Sequence, residues 1–145
     1  MGKLEAIWIK RAKMGPMDPA RQASLVAGKG IAGNANQGGK RQVTIISKEK
    51  WEGVMAQLGL DLDPSTRRAN LMISGGIDLA ESRHKVLKIG NCRVRIYGET
   101  KPCELMDMAA HGLQAALRPN WGGGAFAEIL DDGKIAVGDK VEWAE

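Results

Sequence analysis

Apolar residues in this chain fall in short alternating runs separated by glycine, asparagine and proline, a pattern that predicts many short strands and few helices. Residues 4–9 open with a strand that has Trp8 and Ile9 on opposite faces. Residues 11–19, broken by Gly15, Pro16 and Pro19, are expected to be a loop or hairpin connection. A short strand is expected at 24–27, followed by an ordered glycine- and asparagine-rich loop at 28–39. Residues 41–46 are β-branched and read as a strand. Ser47 then caps a helix to Leu58 with Trp51, Val54 and Met55 on one face, and Gly59 fits its stop. Asp63-Pro64 restarts the chain, and the apolar run 71–73 is broken by Ser74-Gly75-Gly76.

Two strands, 86–89 and 92–97, flank the turn Gly90-Asn91. Alternation in the second places Cys92, Val94 and Ile96 on one face and Arg93, Arg95 and Tyr97 on the other. Leu105, Met108, Ala109, Leu113, Ala116 and Leu117 form a helical stripe over 104–117, weakened by Gly112. A glycine loop at 122–124 leads to a strand at 125–130. The turn 131–134 is expected to join it to a partner at 135–137, and a last strand covers 140–143. The fold class expected is β-rich α+β, a barrel or strongly bent sheet with a few helices.

Composition narrows the function more than the fold. At 145 residues one domain spanning 1–145 is expected, with a core that needs no disulfide staples. Twenty-one basic against 17 acidic residues, net +4, suit an anionic partner. The basic residues are dispersed and Phe and Tyr occur once each, which favours a small phosphate-bearing ligand over nucleic acid. No signal peptide and no apolar run of membrane length is read, so a cytoplasmic, reduced protein with two free thiols and no membrane partner is expected.

Chemistry concentrates at Cys103, between the strand and helix patterns in Gly98-Glu99-Thr100-Lys101-Pro102-Cys103. A helix N-terminus there presents unpaired N–H groups that favour a thiolate, with Lys101 helping and Glu104 opposing. A small buried hydrophobe is the competing reading for a free cysteine. Cys92 reads as core. His84 and His111 have no metal-ligand spacing with the cysteines, and no nucleotide-binding glycine fingerprint is present. Lys40, Arg41, Arg67 and Arg68 can supply donors to a phosphate, or form a solvated face.

Taken in order, several segments form a set: Gly30-Ile31-Ala32-Gly33, Arg41-Gln42-Val43-Thr44, Arg67-Arg68-Ala69-Asn70-Leu71, Gly98 to Cys103, Gly122-Gly123-Gly124-Ala125-Phe126, and Ile135-Ala136-Val137-Gly138-Asp139. This set resembles the MOSC domain, the C-terminal domain of molybdenum cofactor sulfurases, also found in amidoxime-reducing molybdoenzymes and as stand-alone bacterial proteins. The resemblance covers about residues 4–143. It implies a MOSC-type β-barrel with peripheral helices that binds the molybdenum cofactor, a molybdopterin-type anionic ligand.

On that resemblance, Cys103 is the catalytic sulfur carrier or molybdenum ligand. Arg67, Arg68 and Asn70 match a motif facing the phosphate and pterin, Arg41 and Gln42 the strand opening beside them, and Thr100 and Gly123 further cofactor-binding positions. One departure is notable: family members commonly carry an acid and a histidine in the loop where this chain has Asn34 and Asn36. Neither asparagine can act as a base. The length leaves no room for the pyridoxal-phosphate domain of a full sulfurase, so a partner would supply sulfur. Three readings follow. The first is a module that carries or transfers the cofactor or its terminal sulfur. The second is a small molybdenum-dependent reductase of N-hydroxylated compounds with a separate electron donor. The third is a non-catalytic scaffold for protein contacts.

Overall fold

The computed structural model describes residues 2–144. Eleven strands and three α-helices follow one another as β1 (Gly2–Lys10), β2 (Met17–Ala20), β3 (Gln22–Val26), β4 (Gly30–Ile31), β5 (Val43–Ser47), α1 (Lys48–Leu58), β6 (Leu71–Ser74), β7 (Val86–Ile89), β8 (Cys92–Glu99), α2 (Glu104–Ala109), α3 (Leu113–Leu117), β9 (Ala125–Ile129), β10 (Gly133–Ala136) and β11 (Lys140–Trp143). Single 3₁₀ turns lie at Pro64–Arg67 and Pro119–Trp121.

Seven strands close a β-barrel in the order β11-β7-β8-β9-β5-β6-β1. Pairing of β1 with β11, Gly2 opposite Val141 and Lys3 opposite Lys140, completes the ring. The parallel pair β5–β6 sets Ile45 opposite Leu71, and parallel neighbours need a crossover. Helix α1 and the Pro64–Arg67 turn supply it, and that turn carries Arg67 to the barrel rim. Alternation sends Ile45, Leu71, Ile73, Leu87, Ile89, Val94 and Ile96 inward, and a register shift between Leu4 and Ala6 lets Leu4 and Ile7 of β1 join them; all are fully buried. Trp51, Val54 and Met55 of α1 form a second apolar cluster with Met106, Leu113 and Leu117. Burying side chains such as Leu113 and Leu117 contributes about 1.5–3 kcal/mol each, which holds α2 and α3 against α1.

The structure corrects four expectations. The loop or hairpin connection expected over 11–19 is a shorter hairpin connection, because residues 17–20 are strand β2 and pair with β1 from Ile7–Ala20 to Lys10–Met17. Pro19 is tolerated because β2 is an edge strand. The strand expected at 24–27 begins earlier, at Gln22. The strand after the 131–134 turn does not pair back on β9. It pairs with β3 in a second sheet, β10-β3-β4, because Asp131 and Asp132 are engaged elsewhere, by Arg93 and by the Ala27 N–H. The helix expected over 104–117 is two helices. Ala110 is extended and Gly112 adopts φ +87°, which ends the α-helical path between them.

Candidate functional site

Three chain segments meet at the rim of the barrel. The first is the Pro64–Arg67 turn, started by Asp63, whose carboxylate accepts from the Ser65 N–H at 2.9 Å. It ends with Arg68 in the left-handed region at φ +65°, which turns consecutive arginines in different directions. The second is the stretch from Thr100 to Cys103 after β8. The third is the glycine loop before β9. Gly124 sits at φ +102°, and a Cβ there would lie 2.2 Å from the Ile45 carbonyl oxygen, so only glycine lets β9 enter beside β5.

Arg67 ties the segments together. Its Nε donates to the Gly123 carbonyl at 2.9 Å and a terminal nitrogen donates to the Thr100 carbonyl at 2.8 Å. Thr100 is buried and its hydroxyl donates to the same Gly123 oxygen at 2.9 Å. The result is a cleft of about 210 Å³ lined by Arg41, Thr44, Arg67, Arg68 and Ala69 on one side and Thr100, Lys101, Cys103 and Gly123 on the other.

Among the described residues no carboxylate lines this cleft, and Arg41, Arg67, Arg68 and Lys101 form no ion pair. Burial pushes the Arg67 guanidinium below its usual range, Cys103 opposes that and Arg41 adds to it. Lys10 is likewise lowered by burial and then by Arg68, Arg41 and Lys13, so these cations share one positive field. Arg41 lies over the Phe126 ring at 5.2 Å and Arg68 donates to the Gly15 carbonyl, which orients both. A half-buried guanidinium held by carbonyls, with no acid to neutralise it, is a ready anion receptor.

Cys103 is exposed and immediately precedes α2, so the buried-hydrophobe reading does not apply to it. Its side chain makes no capping bond. Cys92 is the buried one, its thiol pushed up by burial and then by Asp131, Asp139 and Asp132. Among the described residues no group of three or more His, Cys, Asp or Glu is placed to hold a metal ion.

Of the sequence-predicted residues, the fold brings Arg41, Arg67, Arg68, Thr100, Cys103 and Gly123 together. Gln42 and Asn70 do not line the cleft. Gln42 is buried, donating to the Gly39 carbonyl and accepting from the Ile129 N–H. Asn70 is buried, accepting from Thr44 through both its N–H and its hydroxyl and donating to Trp8 O and Asn34 Oδ1. Asn70 thereby fixes Thr44, which lines the cleft, while Gln42 ties the Gly39 loop to β9. Asn34 is buried in the same network and also accepts from the Lys10 N–H at 2.9 Å. Thr44, Ala69 and Lys101 line the cleft without being among the site residues expected from the sequence, and Lys10, though not on its lining, shares the field of Arg68 and Arg41. Lys10 had no local signal, because its place beside Arg68 depends on how β1 crosses the barrel.

The family profile described as MOSC domain matches residues 31–142. The chain belongs to the MOSC domain family. The YuaD protein from Bacillus subtilis has a similar structure at TM-score 0.80 and 20% identity, covering 97% of this chain and 94% of that one. YiiM from Geobacillus stearothermophilus superposes at TM-score 0.79 and 14% identity, covering 100% and 76%. YiiM from Escherichia coli does so at 0.71 and 13%, covering 99% and 70%. No curated protein matches the chain in sequence. The MOSC match includes every cleft residue from Arg41 to Gly123, and no helix among the described residues is long and apolar enough to cross a membrane.

Proposed function

We propose that this MOSC protein binds the molybdenum cofactor in the cleft and carries the cofactor or its terminal sulfur through Cys103. The observation that supports the reading most is one donor set. Arg41, Arg67, Arg68 and Lys101 surround an exposed thiol with no carboxylate among them. Guanidinium groups suit a terminal phosphate and a thiolate suits a sulfur-rich molybdenum centre, so the residues fit the group. The cleft is open, and a ligand larger than 210 Å³ can extend from it.

Arg68 and Arg41 would hold the phosphate, and Arg67, fixed by two carbonyls, would add charge without changing shape on binding. Thr100 and Gly123 would keep the Cys103 segment in place. When bound, the cofactor supplies a molybdenum centre with an exchangeable terminal sulfur. To receive sulfur, the Cys103 thiolate attacks the outer sulfur of a donor persulfide. The donor S–S bond breaks, the donor leaves as thiolate, and Cys103 becomes the persulfide, with no net oxidation. No carboxyl or imidazole lines the cleft to relay protons, which ranks transfer above reduction of N-hydroxylated compounds.

Anaerobic native mass spectrometry with molybdenum cofactor tests this reading. A cofactor-sized mass gain is expected for the native protein, weakened in Cys103→Ser and in Arg68→Ala. Absence of any gain in the native protein would overturn it.

A further inference from the structure

Helix α1 places Lys48, Trp51, Glu52 and Met55 on one face, at steps of three and four residues. Gly59 ends the helix at φ +66°, where the Leu60 N–H donates to the Met55 carbonyl and the chain turns back. The returning segment is fastened to α1 at Leu62. The Trp51 indole N–H donates to the Leu62 carbonyl at 3.2 Å, and the Leu62 N–H reaches the Met55 sulfur at 3.4 Å. A pocket of about 240 Å³ lies beside this contact, and Asp61, Leu62, Pro64 and Met72 of β6 complete its lining.

The lining divides by chemistry. Trp51, Met55 and Met72 are buried, so the core behind them fixes these walls. An indole and two thioethers, joined by Leu62 and Pro64, favour contact with an aromatic ring. Glu52 and Asp61 are exposed and therefore stand where the pocket meets solvent. Neither carboxylate forms an ion pair among the described residues, whereas the Lys48 ammonium lies 3.7 Å from Glu5. The pocket thus sets two unmatched acids beside an apolar interior, with its one cation already drawn to another carboxylate.

We infer that this pocket binds a small organic cation, an ammonium group carried on an aromatic body. The ring packs against Trp51, Met55 and Met72, and the ammonium stays beside Glu52 and Asp61 at the mouth. Keeping the charge at the rim avoids the desolvation cost of burying it. The volume is below the roughly 300–1,000 Å³ of sites for drug-sized ligands, which suits a single-ring occupant. The site is separate from the Cys103 cleft. Among the described residues none lines both, although Pro64 begins the turn whose last residue, Arg67, lines the cleft. The two also select opposite charges, since the cleft gathers cations and the pocket carboxylates.

Phenethylamine, titrated into the native chain by calorimetry and by amide NMR, is the probe. The Trp51 indole N–H is the reporter, because it is bonded to Leu62 in the pocket wall. Its resonance should shift with the amine while that of Trp143, on β11, stays in place. At low salt the amine should bind about fivefold more tightly than phenethyl alcohol, the scale of two exposed carboxylates. Added salt should narrow that difference. Hydrocinnamate, which carries the opposite charge on the same ring, and ethylamine, which has no ring, should both bind more weakly than phenethylamine. Glu52→Gln combined with Asp61→Asn should bring the amine down to the affinity of the alcohol, and Lys48→Gln should tighten it. Positions 52 and 61 are exposed, so the double variant should keep its melting temperature.

Equal affinity for phenethylamine and phenethyl alcohol would overturn the amine site. So would a Trp51 resonance that does not move, or a double variant that binds the amine as well as the native chain does. Displacement of the amine by inorganic pyrophosphate would also overturn it, by placing the amine in the cleft. Cofactor binding stands or falls separately, on the mass gain of the native protein, which the Glu52→Gln and Asp61→Asn changes should leave unaltered.

Discussion

Arg67 reaches Thr100 with a 2.8 Å hydrogen bond from its guanidinium to a backbone carbonyl, and this bond joins the turn before β6 to the segment that carries Cys103. The same side chain holds Gly123. Arg67→Ala leaves two carbonyls without their charged donor, so a stability loss of about 1–3 kcal/mol is expected in chemical denaturation. The cofactor mass gain should vanish with it. Arg68→Ala should weaken the mass gain with a smaller stability cost, because Arg68 makes a single bond to Gly15.

Gly123→Ala tests how closely the two loops must approach. The added methyl would lie 2.7 Å from the Thr100 oxygen and 3.1 Å from an Arg67 terminal nitrogen. Backbone on one side and a fixed guanidinium on the other leave little to yield, so a cost of about 1–3 kcal/mol is expected. Displacement of the Cys103 segment should appear as a changed iodoacetamide alkylation rate.

Asn34 lies in the loop where MOSC relatives commonly carry an acid, and its hydrogen bonds define what that exchange does. Its Oδ1 accepts from the Lys10 N–H and from Asn70 Nδ2. Asn34→Asp keeps an acceptor in that place, so it should retain most of the stability at neutral pH. Asn34→Ala removes the acceptor from two buried donors and should cost about 1–3 kcal/mol. Equal melting temperatures for the two variants would contradict the network described.

Stability should fall in acid through Glu5. The Ser74 hydroxyl donates to its carboxylate at 2.6 Å and, despite opposing burial, this bond with Lys3 and Lys48 holds the carboxyl below its ordinary value of 4.5. A depressed folded-state pKa stabilises the fold above the unfolded value. That contribution is lost as pH falls through the folded one. Glu5→Gln should therefore lose stability near neutral pH and show a flatter decline toward about pH 3 in urea titrations.

Much of the barrel was legible because its strands alternate. The inward set Cys92, Val94 and Ile96 is buried as the period-two pattern requires, and Ser47 caps α1 through the Lys50 N–H. Partnership was less legible. The aspartates at 131 and 132 look like a local hairpin turn, yet their carboxylates serve Arg93 and Ala27 across the sheet. Nothing near them in sequence signals that. The site divided in the same way: motif position brought Gln42 and Asn70 forward, but their polar groups are spent inside the wall. Whether a side chain faces ligand or its own backbone depends on the closed barrel.

That closure also sets an order in time. The bond between Arg67 and Gly123 spans 56 residues, and the ring closes only when β11 reaches β1. Contacts so distant in sequence form slowly, after loop-closure entropy has been overcome. A collapsed chain with helices and hairpins in place would still lack the assembled cleft. During refolding, ligand capture should lag behind secondary structure and coincide with the final cooperative step, making the cleft a reporter of completed folding.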